Sequence, residues 1–348
     1  MHVVIIGGGI IGATLAHRLG EVGARVTVIE GAGGATPASF GWINASFYLN
    51  DDHFVLRAAG LDAWKRLGGH VTWSGCLCWE ETGDAFDAQR DRLSTIGYNV
   101  EEVDAQGFAA LEPNIQAPER ALRFAQEGVA APAQVVEALL SGVRRITGVH
   151  VKGIATSGDT VTGVETAQGL IPADRVVVAA GTGSPSILST VGVNLPMLER
   201  PGLMLRTAPV PQLMQHILVT PGQEVRQDAQ GHIWAPTAAN HQGDDTEEIT
   251  TRPDLLADAA LVRLQSMLPD HPLVWDRVML AARPVPQDGL PVIGACGPAG
   301  LFAAVMHSGV TLAAITAELL APQVMNATLS NAQSALAAPF TPDRFQSG

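Results

Sequence analysis

The run Met1-His2-Val3-Val4-Ile5-Ile6-Gly7-Gly8-Gly9-Ile10-Ile11-Gly12, continued by Ala13 to Val22 and Arg25-Val26-Thr27-Val28-Ile29-Glu30, decides the fold. An apolar strand meets a glycine cluster, a helical stretch follows, and a second apolar strand ends in an acid. This is a β-α-β unit carrying G-x-G-x-x-G at Gly7, Gly9 and Gly12. Gly7 serves the tight turn, Gly9 lets a pyrophosphate approach the helix N-terminus, and Gly12 lets helix and strand pack closely. Glu30, 18 residues after Gly12, stands where a carboxylate accepts hydrogen bonds from ribose hydroxyls. The reading is a dinucleotide site. Glu30 would repel a 2′-phosphate, and no Gly-Lys-Ser/Thr follows to suggest a phosphate-loop NTPase.

Composition sets the outer bounds. A chain of 348 residues suggests two domains, and 47% hydrophobic content is ample for packed cores. A net charge of −13 argues against a nucleic-acid partner. The three cysteines, Cys76, Cys78 and Cys296, make no disulfide framework, and the 10 histidines show no metal spacing, so no metal is expected. Cys76 and Cys78 alternate on one expected strand and should face the same core. No signal peptide and no membrane-length apolar run are read, which gives an expectation of a cytoplasmic protein.

Glu30 is followed by a tract of small residues from Gly31 to Ala45, in which Ser39 and Asn44 offer hydrogen bonds and Trp42 a flat apolar surface. Helices are expected over 53–67, 84–96, 105–111, 133–145 and 254–268. Strands are expected over 73–80, 120–126, 149–154 and 175–180, with a small hairpin between the last two. From 190 to 280, proline-punctuated runs at 203–207, 216–220, 224–227, 232–236 and 274–282 read as a mostly antiparallel sheet, interrupted by a polar acidic loop at 243–249. A strand at 301–306 then turns through His307-Ser308-Gly309-Val310-Thr311 into a helix reaching Leu320. The tail after Met325 reads as peripheral.

Four blocks in this order resemble the D-amino-acid oxidase, glycine oxidase and sarcosine oxidase superfamily of FAD flavoproteins. They are the glycine fingerprint with Glu30, Val176 to Ser184, Arg283-Pro284 with Asp288 to Gly294, and His307 to Thr311. Ala38 to Ala45 looks more loosely like the bacterial D-amino-acid and D-hydroxyproline dehydrogenase branch. The resemblance implies an α/β architecture: a Rossmann-like FAD-binding domain (1–50, 131–190, 281–348) with an inserted, mostly antiparallel α+β substrate domain (51–130, 191–280). It implies adenosine contacts from Gly7, Gly9, Ile10, Ile11, Gly12, Glu30 and Val151, and pyrophosphate contacts from Ser39 and its loop, which includes Asn44. The turn of Ala180, Gly181 and Gly183 would approach the cofactor, and His307, Ser308, Gly309, Val310 and Thr311 would lie by the ribityl chain and pyrimidine edge.

Arg283 is the position implied for the substrate carboxylate, since a guanidinium fork binds a carboxylate through two parallel hydrogen bonds. His307 is implied either to bond flavin or to shape the turn. Val285 stands where some relatives carry the cysteine that attaches FAD, so FAD is expected to be non-covalent. The tyrosine that often covers the substrate has no equivalent, as Tyr48 and Tyr98 both lie outside the expected sheet.

The expected activity is oxidation of a small amino acid or secondary or cyclic amine (the D-amino acid, glycine, sarcosine or D-hydroxyproline class), with O2 or another electron acceptor reoxidising the cofactor. The alternatives are a flavin subunit of a heteromeric dehydrogenase and an NAD-dependent reductase. Oligomers and partner subunits fit either way.

Overall fold

The structure, a computed structural model, describes residues 1–239 and 245–346. The acidic loop expected at 243–249 therefore begins outside the described residues. Strand β1 (His2–Ile6), helix α1 (Ile10–Glu21) and strand β2 (Arg25–Glu30) form the leading unit. β1 pairs in parallel with β2 on one side and with Arg175–Val178 on the other. Arg144–Thr147 extends this sheet beyond β2, and Leu301–Val305 and Val292–Ala295 extend the opposite side, giving six strands. Val3, Ile5 and Val177 face one core while Val4, Ile6, Val176 and Val178 face another, so the central strands are apolar on both sides.

The glycines bring α1 down onto the sheet. Gly7 has φ +115, and a Cβ there would stand 2.2 Å from the Ala179 carbonyl oxygen. A Cβ on Gly12 would stand 1.9 Å from the Gly7 carbonyl oxygen, so only glycine lets the helix start this close to the turn.

A second sheet has eight strands, in the order 275–282, 201–207, 233–236, 223–227, 217–220, 76–78, 120–124 and 101–104. All its neighbours are antiparallel except the pair of Cys76–Cys78 with Ile217–Thr220. Its two faces are distinct. Leu77, Leu205, Leu218, Val225 and Ile233 pack beneath helix Pro253–Met267, whereas Cys76, Cys78, Met204 and Val219 face the parallel-sheet half. Cys76 and Cys78 thus share one buried face, as the alternation predicts.

Helix α2 (Asp51–Leu67) and α1 both pack on the apolar helix Gly309–Val324. A Cβ on Gly60 would lie 2.7 Å from the Thr311 carbonyl oxygen, and Trp64 Nε1 donates to the Val310 carbonyl at 2.8 Å. α2 therefore sits with the parallel sheet, although the chain that follows it leads through Val71–Thr72 to Cys76–Cys78 of the eight-stranded one. Among the described residues, no helix is long and apolar enough to cross a membrane.

Three expectations need correction. The helix read over 133–145 ends at Leu139; Gly142 takes φ +79, and Arg144–Thr147 is the sixth strand of the parallel sheet. The strand read over 73–80 shrinks to Cys76–Cys78, because Gly75 takes φ +77 and the chain bends before it. The tail after Met325 is not peripheral. Helix Asn331–Ala337 opens with a capping box on Ser330, Phe340 is fully buried, and Arg344 ion-pairs with Asp288 at 2.7 Å.

Candidate functional site

One cleft of about 800 Å3 runs from the C-terminal ends of β1 and β2 to the face of the second sheet. Gly7, Gly9, Ile10, Ile11 and Glu30 line one end, with Val151 beside them. Ser39, Asn44, Ala180, Gly181 and Gly183 line its length. Arg283, His307, Ser308, Gly309, Val310 and Thr311 line it as well, where Gly202, Met204 and Glu224 of the second sheet join the wall. Of the residues singled out from sequence, only Gly12 lies behind the wall, against Gly7.

Local geometry explains the shape at the glycine end. The N-cap of α1 is Gly9, which has no side chain to cap with, so the first helical N–H groups open towards the cleft. Thr36 Oγ1 accepts from Ile10 N–H at 3.1 Å, partly closing that end. A Cβ on Gly8 would run into the Glu30 side chain at 2.3 Å. Glu30 itself is held by Arg145, which donates to both carboxylate oxygens at 2.7 and 2.9 Å and also bonds Glu137. Ser39 Oγ accepts from the Gly41 amide at 3.2 Å and so shapes its own turn.

The far end is fixed by three elements. Asn44 N–H donates to Thr311 Oγ1 at 3.3 Å, and Thr311 Oγ1 donates to the Trp42 carbonyl at 3.1 Å. Ser308 sits in the left-handed region (φ 56, ψ 28) as the N-cap of helix Gly309–Val324. Arg57 of α2 donates to the Asn44 carbonyl and side-chain oxygens and, at 2.7 Å, to Ser308 Oγ. Arg283 Nε donates to the Arg200 carbonyl at 3.2 Å, and a terminal nitrogen reaches the Pro201 carbonyl at 3.4 Å. Trp42 is buried rather than presenting a flat exposed surface; its indole N–H donates to Glu127.

Sequence reading missed a buried polar layer beneath this end. Glu127 is fully buried and accepts from Trp42 Nε1, Tyr98 Oη and the Ser46 amide. Burial pushes its carboxyl up to about 7, against the opposing pull of these hydrogen bonds. Burial also lowers Arg57 to about 10, with Glu127 acting in the opposite direction. Arg226 is likewise buried; it donates to the Phe40 carbonyl and lies over the rings of Phe40 and Trp234. Glu224 and Arg226 were readable, since Gln223–Gln227 alternates and two charged residues share the face opposite core Val225. Arg57, Tyr98 and Glu127 are single polar residues in separate segments, with no local pattern to mark them.

Fold and cleft define a dinucleotide-binding protein whose ligand site is shared between a Rossmann-like half and an antiparallel sheet. Residues 2–323 match the FAD-dependent oxidoreductase (DAO) family, and the chain belongs to it. It is an oxidoreductase that uses FAD. Glycine oxidase of Pseudomonas aeruginosa PAO1 is 25% identical over 353 aligned positions, covering 92% of this chain and 93% of the relative. The crystal structure of glycine oxidase from Geobacillus kaustophilus superposes with a TM-score of 0.84 at 21% identity, covering 97% of each chain. That of L-proline dehydrogenase from P. horikoshii gives 0.84 at 20%, covering 99% of this chain and 97% of the other.

The residues present suit FAD. A helix N-terminus whose N-cap is glycine faces the cleft at the glycine turn, and a second helix N-terminus opens on the same cleft at Gly309. The nearest atoms to a Cβ built on Gly309 are 3.6 Å away, so the backbone there is open to close approach.

Proposed function

We propose that the protein oxidises the C–N bond of a small amine bearing a carboxylate, within the class of D-amino acids, glycine, sarcosine and D-hydroxyproline. The observation that carries this reading is the placement of Arg283 in the same cleft wall as the glycine turn and the 307–311 turn. The glycine oxidase relative and the structural likeness to an L-proline dehydrogenase support it, since both named substrates pair an amine with a carboxylate.

In this reading, Gly7, Gly9, Ile10, Ile11, Gly12, Glu30 and Val151 hold the adenosine half of FAD, and Ser39, Asn44, Ala180, Gly181 and Gly183 line its course. Residues 307–311 hold the ribityl and ring end. The cofactor is non-covalent, Val285 standing at the attachment position. FAD, when bound, supplies a two-electron hydride acceptor. Arg283 binds the substrate carboxylate through a two-pronged hydrogen bond, and its contacts to the Arg200 and Pro201 carbonyls hold the guanidinium in place. Gly202, Met204 and Ala281 provide small and apolar walls that keep water from the reacting carbon. The amine enters neutral, so no side-chain base is required. The imine product hydrolyses in water after leaving.

The segments 1–50, 131–190 and 281–348 form the cofactor half, and 51–130 and 191–280 form the substrate half. Sheet membership supports the division: every strand of the six-stranded sheet falls in the first set, and seven strands of the eight-stranded sheet fall in the second, the eighth, Trp275–Ala282, crossing the boundary by two residues. α2 packs with the cofactor half despite its position in the chain. The three cysteines are buried thiols, which suits the proposed cytoplasmic setting.

An anaerobic titration of FAD-loaded protein with glycine, sarcosine, D-hydroxyproline and pooled D-amino acids tests the activity. The expected result is bleaching of the oxidised flavin band by at least one of them. A full band after every addition would reject the substrate class. Admission of air then reads the acceptor: rapid recolouring identifies an oxidase, and slow recolouring a dehydrogenase needing another acceptor or a partner subunit.

A further inference from the structure

Among the described arginines of the cleft wall, Arg57, Arg145 and Arg283, only Arg57 is buried, at 4% exposure. Its hydrogen bonds go to the Asn44 carbonyl, Asn44 Oδ1 and Ser308 Oγ, all neutral acceptors. No carboxylate among the described residues forms an ion pair with it. The acid that influences it most is Glu127, whose own carboxyl burial holds partly protonated near neutrality. A buried guanidinium without a contacting carboxylate is costly, and an anion arriving beside it would offset that cost. Ser308, its partner, caps the helix whose positive end opens on the same cleft. Two independent positive features, a side-chain cation and a helix terminus, therefore meet at one place.

We propose that Arg57, seated against Asn44 and Ser308, stabilises the negative charge that reduction places on the bound cofactor. The proposal rests on the reading that residues 307–311 face the ring end of FAD. When the substrate is oxidised, its C–H bond breaks with both electrons and the nitrogen lone pair forms the C=N bond. The substrate becomes an iminium cation, which loses a proton to water as imine. The neutral acceptor takes two electrons and one proton and so gains one unit of negative charge. A fixed cation beside that charge raises the midpoint potential and favours hydride uptake. Arg57 comes from α2, outside all the motif blocks, and acts by charge and by holding Ser308 rather than by touching substrate.

The test reads FAD-loaded wild type, Arg57→Met and Arg57→Lys in the absence of amine. Two measurements are made: the two-electron midpoint potential, and the Kd for sulfite, which adds to oxidised flavin and leaves the same negative charge. Arg57→Met should weaken sulfite binding by about tenfold or more and move the potential negative, as expected for loss of a nearby cation. Arg57→Lys should recover much of both. A flavin-loaded Arg57→Met with wild-type potential and sulfite affinity would overturn the proposal. If Arg57→Met does not fold, Arg57→Gln takes its place. Failure of every variant to fold, the lysine included, would assign Arg57 to structure alone and overturn it too. Protein that shows the predicted shifts but is bleached by no amine would reject the substrate class and leave Arg57 in its role.

Discussion

Tyr98 Oη donates to Glu127 Oε1 across 2.7 Å, at a carboxylate with no exposed surface. The Trp42 indole and the Ser46 amide complete its partners at 2.9 and 3.3 Å. These bonds join the loop after β2 to the segments at Tyr98 and Glu127, beneath the end of the cleft lined by residues 307–311.

This carboxyl should give the protein a stability that falls with rising pH. Its pKa is about 7 in the fold, against an ordinary 4.5 in the unfolded chain. The folded state therefore holds more protons between those values, and stability declines as pH rises from about 4.5 to about 7. Below that window the penalty is absent, and above it fully present at roughly 3 kcal/mol. His53, pushed down to about 3 by burial and by Arg57, acts in the opposite sense on the acid side. Comparison with Glu127→Gln cancels that contribution. Denaturant unfolding of both proteins at pH 4.5, 6 and 8 should show wild type losing ground to the variant as pH rises; a constant difference would place the carboxyl near its ordinary range.

Arg283→Ala should retain FAD and raise KM for the best carboxylate substrate. Loss of a charge-assisted pair at a desolvated site costs roughly 2–5 kcal/mol of binding. Steady-state kinetics on protein of measured flavin content reads this directly. Unchanged kinetics would remove Arg283 from the substrate site.

Gly9→Val should purify without flavin. The position is the N-cap of α1, and a Cβ there already stands 3.0 Å from Thr36 Oγ1. Two further methyl groups would occupy the space next to the helix N-terminus that a pyrophosphate needs. The ratio of visible to ultraviolet absorbance checks it, and a fully loaded variant would place the pyrophosphate elsewhere.

Phe340→Ala should destabilise the protein by roughly 3–5 kcal/mol, the usual cost of emptying a well-packed aromatic site. Phe340 is fully buried although it lies in the tail. Thermal unfolding of variant and wild type measures the effect, and a shift within error would show the tail to be only loosely attached.

The parallel sheet was legible because its signals are local. Gly12 stands five residues from the Gly7 carbonyl it must clear, and β1 and Arg175–Val178 are apolar on both faces. Arg144–Thr147 was missed because an edge strand with mostly exposed residues has no apolar periodicity to read. The polar layer was missed for a different reason. Arg57 and Ser308 are 251 residues apart, and Tyr98 and Glu127, in the connections after helix Gly83–Thr95 and strand Arg120–Phe124, become partners only when those segments pack together. The tail read as peripheral because its anchors are scattered singly through it: Ala337, Phe340 and Pro342 are buried, and Arg344 pairs with Asp288.

The order of strands in the parallel sheet also governs how the molecule can be made. β1 leaves the ribosome well before its neighbour on one side, Arg175–Val178, and that strand's other neighbour is Leu301–Val305. At about 5–20 residues per second, the roughly 170 residues separating β1 from its partner take on the order of ten to thirty seconds to synthesise. Through that interval an apolar strand waits with one edge unpaired, and the glycine turn has no Ala179 carbonyl to rest against. The cleft is thus complete only once the 307–311 turn has been made, and yield in a heterologous host should depend on chaperones that shield β1 in the nascent chain more than on the supply of flavin during elongation.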